Sequence, residues 1–416
     1  MQFTWKMKDR SISRLFVRIL GIVLLAILLF PTQSLASFIE STMGAAVVKD
    51  AVATYYNPAA LVQLKHPQLI ALNSYSAFHG EFTGQSVSSN GASQSGNSTS
   101  NNDNQLPAFY FAGPLSSRIT GGLALIANDL SHDIESGSML RYVQSDSHIQ
   151  DIDLVSALSI KLNEYTAIGL GLSLSRAHFL MQPIYGFPSL NIPDSTNKNE
   201  SDGTSWAGTV GIFIKPNENT SIGLAYRSAM TYNMSGTSTF TGTPSLTSNN
   251  YHFTYWTPAR SMLSVNHSIT KKIGVIATVQ YIQWNIFDTI TMHNLAVETA
   301  SQPIILPTIK VPYHFHNSWL LTLGTHLRLT EKCVLRLAGS YVQSPSGGNY
   351  QIDNGDTLVL GGSVGYQLFK NILIDGSYAH VFVQDKDIHI ISSAKTINGV
   401  NQNAGNVFSL KITWDV

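Results

Sequence analysis

The side chains best suited to chemistry in this chain form two apolar clusters set among polar neighbours. Phe179, Leu180, Met181, Ile184, Tyr185, Phe187, Leu190 and Ile192 crowd one stretch, and Phe240, Tyr251, Phe253, Tyr255 and Trp256 crowd another. Connections between strands normally solvate, so apolar clusters within them point to a site for a hydrophobic molecule or to a packed lid. Tyr255 and Trp256 also suit an interfacial aromatic girdle. Other chemistry is poorly provided for. Among thirteen histidines, His314 and His316 stand at strand spacing without a nearby Cys or carboxylate pair, so no zinc site is expected. No serine motif stands out as a nucleophile, and neither catalysis nor a cofactor is expected.

The elements that must hold these clusters are strands. From about residue 67 onward, stretches with apolar residues at every second position alternate with connections that are in turn very short and long. The short ones fall at 113–117, 163–164, 216–219, 270–272, 330–332 and 369–371. The long ones fall at 79–104, 130–150, 179–203, 235–256, 288–312, 344–355 and 385–402. Six turns and seven loops leave about fourteen strands, an even number suited to an all-β, antiparallel up-and-down transmembrane barrel. In 273–283, Ile273, Val275, Ala277, Val279 and Tyr281 share one face, against Gly274, Thr278 and Gln280, so the polar set faces the lumen if the apolar set faces lipid. Inward Ile276 and Leu320 make a wide, uniformly wet channel the poorer fit. The Ser-, Asn- and Gly-rich 85–104 reads as a solvated loop tip.

The N-terminus reads as an address. Lys6, Lys8, Arg10, Arg14 and Arg18 precede an unbroken apolar run over 19–30, and Ser34-Leu35-Ala36 offers a small-residue cleavage site, so residues 1–36 are expected to be a signal peptide. The run is shorter than the ~20 residues of an ordinary membrane helix. The chain is 44% apolar, only 12% charged and of zero formal net charge, which argues against a nucleic-acid partner. The lone Cys333 cannot form an intramolecular disulfide and shares parity with lipid-facing Leu335 and Leu337. These features place the chain in a bacterial outer membrane, with residues 67–416 forming the barrel.

Residues 37–66 differ, with no period-two pattern. Ala51, Val52, Ala53, Tyr55 and Tyr56 are too apolar for a solvated tail, and Asn57-Pro58 is a turn-forming pair, so the segment is expected to fold into the barrel as a plug. Its sequence, Ser41-Thr42-Met43-Gly44-Ala45-Ala46 through Asp50-Ala51-Val52-Ala53-Thr54-Tyr55-Tyr56-Asn57-Pro58-Ala59, resembles the N-terminal hatch of the FadL/TodX-type outer-membrane transporters of long-chain fatty acids and other hydrophobic compounds. Similarity continues at Gly223-Leu224-Ala225-Tyr226-Arg227-Ser228, at Trp284-Asn285-Ile286-Phe287-Asp288, over 319–324 and 335–345, and at Gly376-Ser377-Tyr378-Ala379-His380-Val381-Phe382. Only 37–40 precede Ser41 after cleavage, fewer residues than family members commonly have. The barrel ends Trp414-Asp415-Val416, so Trp414 would serve the barrel-assembly machinery two residues early.

The resemblance implies passive uptake by a monomer embedded in outer-membrane lipid and lipopolysaccharide. A fatty acid or aromatic hydrocarbon would be caught in a groove of external loops, where Phe179, Phe187, Leu190, Phe240 and Phe253 are the candidates. It would then pass to a luminal pocket, with the hatch around Gly44, Asn57 and Pro58 closing the periplasmic side and release lateral, beside a kinked third strand. An apolar route avoids solvating the alkyl chain, at about 0.8 kcal/mol per methylene. A carboxylate held at low dielectric needs a cation. By motif the family's basic positions match His316 and Arg176. Parity turns His316 inward but puts Arg176 on the face of Leu170, Leu172 and Leu174, while Arg227 and Arg260 are inward-facing alternatives. Each arginine could instead pair with Asp375 or another luminal acid. The other readings are a general diffusion porin and a barrel enzyme or adhesin.

Overall fold

The computed structural model describes residues 38–416 except 89–91, 136, 188–189, 353 and 393–394. The expected signal peptide lies outside these residues. The strands are β1 (Gln68–Ser88), β2 (Ser93–Pro114), β3 (Ile119–Ile134), β4 (Ser145–Lys161), β5 (Thr166–Phe187), β6 (Ile192–Asn217), β7 (Thr220–Arg227), β8 (Met230–Phe240), β9 (Leu246–Thr257) and β10 (Arg260–Ser268). There follow β11 (Ile273–Ile282), β12 (Thr289–Val297), β13 (Ile304–Pro312), β14 (Ser318–Arg328), β15 (Cys333–Val342), β16 (Thr357–Phe369), β17 (Ile372–Val383), β18 (Lys386–Ile391) and β19 (Lys395–Asp415).

Fourteen of these close an antiparallel barrel: β1 to β7, β10, β11, β14 to β17 and β19, with β1 completing the ring against β19 from Gln68↔Asp415 to Ser88↔Lys395. Closure leaves no unpaired edge, the condition for strands to cross lipid. Alternation sorts the faces. On β5, Ile168, Leu170, Leu172 and Leu174 are exposed, while Ala167, Ser173 and Ser175 are buried. Small polar side chains set the tight turns: Asn163 accepts from the Tyr165 and Thr166 amides at 2.8 and 2.9 Å, and Thr270 from those of Lys272 and Ile273 at 3.1 and 3.0 Å.

The remaining strands grow from the long connections. β6 runs 26 residues; its inner half pairs β7 up to Thr209↔Arg227, and its outer half pairs β8 from Asp202↔Ser235 to Asn197↔Phe240. β9 joins β12 at Met292↔Phe253 and His293↔His252, and β12 pairs β13, so a side sheet stands on one flank of the ring. The described residues of the expected solvated tip over 85–104 are instead hairpin, paired to Val87↔Ser93. Its polar side chains pair across strands, Asn97 donating to Glu81 at 2.8 Å, so ladder order persists where hydrophobic periodicity is absent. The loop expected over 179–203 is likewise largely strand, from both β5 and β6.

Candidate functional site

Residues 38–63 fold within the ring. They form α1 (Phe38–Met43), a 3-10 turn (Ala45–Val47), α2 (Ala53–Tyr56) and a second 3-10 turn (Pro58–Gln63). Gly44, at φ 73°, takes the left-handed conformation that joins the first two. Asn57 is fully buried and caps the last turn, accepting from the Ala59 amide at 3.2 Å with Pro58 at its first position. Its amide nitrogen donates to the Ala46 carbonyl at 2.8 Å and to the Ile212 carbonyl of β6 at 3.2 Å, tying two parts of the segment to the wall. The wall accommodates this by lacking side chains. Gly169 of β5 and Gly211 of β6 are register partners. A Cβ on Gly169 would stand 2.1 Å from the Ala59 nitrogen, on Gly211 2.0 Å from Asn57 Oδ1, and on Gly223 2.0 Å from the Ala46 oxygen. On the opposite wall Thr42 and Ser363 share a 2.9 Å hydroxyl contact, and Lys411 reaches Asp50 at 2.8 Å.

Above this segment lies a chamber. Tyr55 contributes to its floor, Leu106, Ile126, Gln280 and Ile282 to its sides, and Phe179, Tyr232, Tyr255 and Trp284 to its upper part. Phe179 packs edge-on to Tyr255 at 4.6 Å, and Tyr232 donates to Ser175 at 2.8 Å, fixing the aromatic roof. Two arginines enter from adjacent strands, Arg227 of β7 directly opposite Arg260 of β10. Arg227 donates to Ser173 at 2.7 Å and pairs with Asp153 at 3.0 Å. Asp151 accepts from Asn128 at 3.0 Å. Both guanidiniums lie over the Tyr55 ring, at 4.7 and 5.0 Å from its centroid. Arg260 forms no ion pair with any described carboxylate.

The other expected residues sit elsewhere. His316 is exposed and outside the chamber lining. Residues 313–317 are not strand, so the parity of β14 does not carry back to His316; the neighbouring Phe315 is the buried residue. Arg176 stays on the lipid-side face, because β5 runs without a bulge there, and pairs with Asp202 at 3.2 Å. Asp375 pairs with Arg336 at 2.8 Å rather than with any of the candidate arginines. Phe187, Phe240 and Phe253 are buried above the chamber in the cluster that joins the side sheet to the ring, so they pack the lid instead of lining an open groove. Leu190 is 54% exposed and lies outside both. Tyr255, expected in a girdle, is buried and faces the chamber. At the outer rim, Asp194 accepts from Arg141 at 2.9 Å and from Tyr142, tying the β3–β4 connection to β6. Burial and then that bond push the Tyr142 phenol up to about 12. Asp153, Asp151 and Leu106 escaped sequence reasoning. Parity puts them on the inner face, but nothing local singles them out.

A closed barrel of fourteen strands around a folded-in N-terminal segment, with a largely apolar chamber above it, is the architecture of an outer-membrane channel for hydrophobic compounds. The chain belongs to the outer membrane protein transport family (OMPP1/FadL/TodX), whose model matches residues 31–415. Among solved structures it is similar to a Pseudomonas aeruginosa FadL homologue, at 18% identity over 90% of this chain and 96% of that one, with a TM-score of 0.78. It is also similar to the Pseudomonas putida toluene transporter TodX, at 14% identity over 89% and 95% with a TM-score of 0.64. For the Ralstonia pickettii toluene transporter TbuX the values are 14%, 87% and 93%, and 0.60. At these identities the likeness shows the fold. No curated protein matches the chain.

Proposed function

We propose that the protein takes up an amphiphile with an anionic head, a long-chain fatty acid, through this chamber. The observation that carries the reading is Arg260. It is a cation in a largely apolar chamber that forms no ion pair with a described carboxylate: Asp153 pairs with Arg227, and Asp151 accepts from Asn128. A carboxylate there gains a charge-assisted, two-pronged partner, while the alkyl chain lies against Phe179, Ile126 and Ile282. Residues 37–66 act as the hatch on the periplasmic side, and the lid cluster of Phe187, Phe240 and Phe253 is the first surface the cargo meets.

Release is lateral on this reading. The β2–β3 ladder pairs Gln105↔Asp129 and Ala108↔Ile126 but omits the rungs between, at Leu106 and Pro107. Pro107 has no N–H to donate, and Leu106 lines the chamber beside Ile126 and Asn128, so the unpaired rungs border the cargo. The test compares oleate and oleyl alcohol in the wild type and in Arg260→Gln. Loss of oleate binding with alcohol binding retained supports the head-group role. Equal behaviour of both ligands in both proteins overturns it, and toluene displacing neither would exclude a small aromatic cargo from the chamber.

A further inference from the structure

A second cavity opens on the periplasmic side, between the hatch and the wall opposite the glycine-lined one. It is bounded by Lys49 and Asp50 of the hatch, Lys271 of the β10–β11 turn, His326 and Arg328 of β14, and Arg336 of β15. The backbone brings these groups together. The Arg328 amide donates to the Lys272 carbonyl at 2.8 Å, seating the end of β14 against the β10–β11 turn. Gly274 pairs with His326, and a Cβ there would stand 2.2 Å from the imidazole, so the missing side chain lets that ring lie over the strand.

Each acid lining this vestibule already has a hydrogen-bond partner, a cation for Asp50 and a neutral amide for Asp415. Asp50 pairs with Lys411 at 2.8 Å, Asp415 accepts from Gln68 at 2.7 Å, and the one cation that is paired, Arg336, holds Asp375 at 2.8 Å. Lys49, Lys271 and Arg328 form no ion pair with any described carboxylate. Lys49, Lys271 and Arg328 are exposed at the mouth of this cavity; partial desolvation there, then the charges of Lys215 and Arg328, hold the Lys49 ammonium below its usual range. Cations gathered in a partly enclosed polar cavity favour a counter-ion, and the planar fork of Arg328 matches an oxyanion.

We infer that this vestibule is an oxyanion-binding site, built around Lys49, Lys271 and Arg328 and separate from the chamber above the hatch. Its ligand is either a free small oxyanion or the carboxylate head of a short amphiphile on the periplasmic side. The site does not depend on which cargo the upper chamber carries.

Acetylation of the full-length folded protein, read lysine by lysine by mass spectrometry, tests this without any transport assay. At constant pH and ionic strength, inorganic phosphate or octanoate should slow acetylation of Lys49 and Lys271 about threefold relative to chloride, the protection mass action gives at about twice the dissociation constant. Lys370, on a turn outside the vestibule, should react at an unchanged rate. Arg328→Gln should abolish the protection; if that variant does not fold, Lys49→Gln with Lys271 as the readout replaces it. Protection by phosphate identifies a free oxyanion, and protection by octanoate alone identifies an amphiphile head. Equal rates in phosphate, octanoate and chloride would overturn the site, as would protection by octanol or protection that survives loss of Arg328.

Discussion

Arg227 and Arg260 face each other across one rung of the β7–β10 ladder and both rest on the ring of Tyr55. Like charges opposite one another on a sheet repel, and here Asp153 offsets one of them while the Tyr55 ring faces both. Through this ring the floor of the chamber is also part of the folded-in N-terminal segment.

Replacing Tyr55 with Leu keeps apolar bulk and removes the π face, a loss of about 1–2 kcal/mol for partly desolvated contacts of this kind. Tyr55→Leu should raise small-solute conductance in planar bilayers while Tyr55→Phe stays near wild type. Equal conductance of all three proteins would show that the ring does not hold the hatch.

The glycine-lined wall gives a second, purely steric test. Gly169→Ala puts a methyl against the Ala59 backbone and should cost about 1–3 kcal/mol by overpacking, expressed as a leaking hatch. Gly208→Ala, where an added Cβ meets nothing within 4 Å, is the control and should be silent. Swelling of proteoliposomes in small sugars separates the two.

Buried charge should be asymmetric to mutation. Arg227→Gln leaves Asp153 buried without its cation and should destabilise the barrel by about 3–5 kcal/mol, whereas Arg227→Leu with Asp153→Leu should recover most of the loss. Urea midpoints of the folded protein in lipid read the difference, and additive losses in the double variant would contradict it.

The clustered aromatics should divide by position. Phe179→Gln places an amide in the chamber wall and should weaken binding of oleate and of oleyl alcohol alike, while Leu190→Gln should change neither. Phe253→Gln disturbs the packed lid, so its effect should appear in unfolding as well as in binding. Ligand titration beside heat-modifiable gel migration distinguishes these outcomes.

The barrel wall is written locally in the chain. Period-two alternation is a local property: each side chain's face follows from its neighbours two positions away, and Asn163 or Thr270 marks a turn whatever lies across the barrel. The fourteen strands of the ring and the inward Arg227 and Arg260 were therefore legible. Where alternation stops and what meets inside depend on contacts between distant parts of the chain. Residues 313–317 leave the strand, which ends the parity that pointed His316 inward from β14, and an unbulged β5 keeps Arg176 outside. The hairpin over 85–104 and the side sheet of β8, β9, β12 and β13 depend on pairing partners far along the chain, which no local pattern encodes. The chamber is non-local in the same way: Tyr55, Leu106, Asp153, Phe179 and Arg260 lie on five separate elements, and closure of the ring is what sets them around one space.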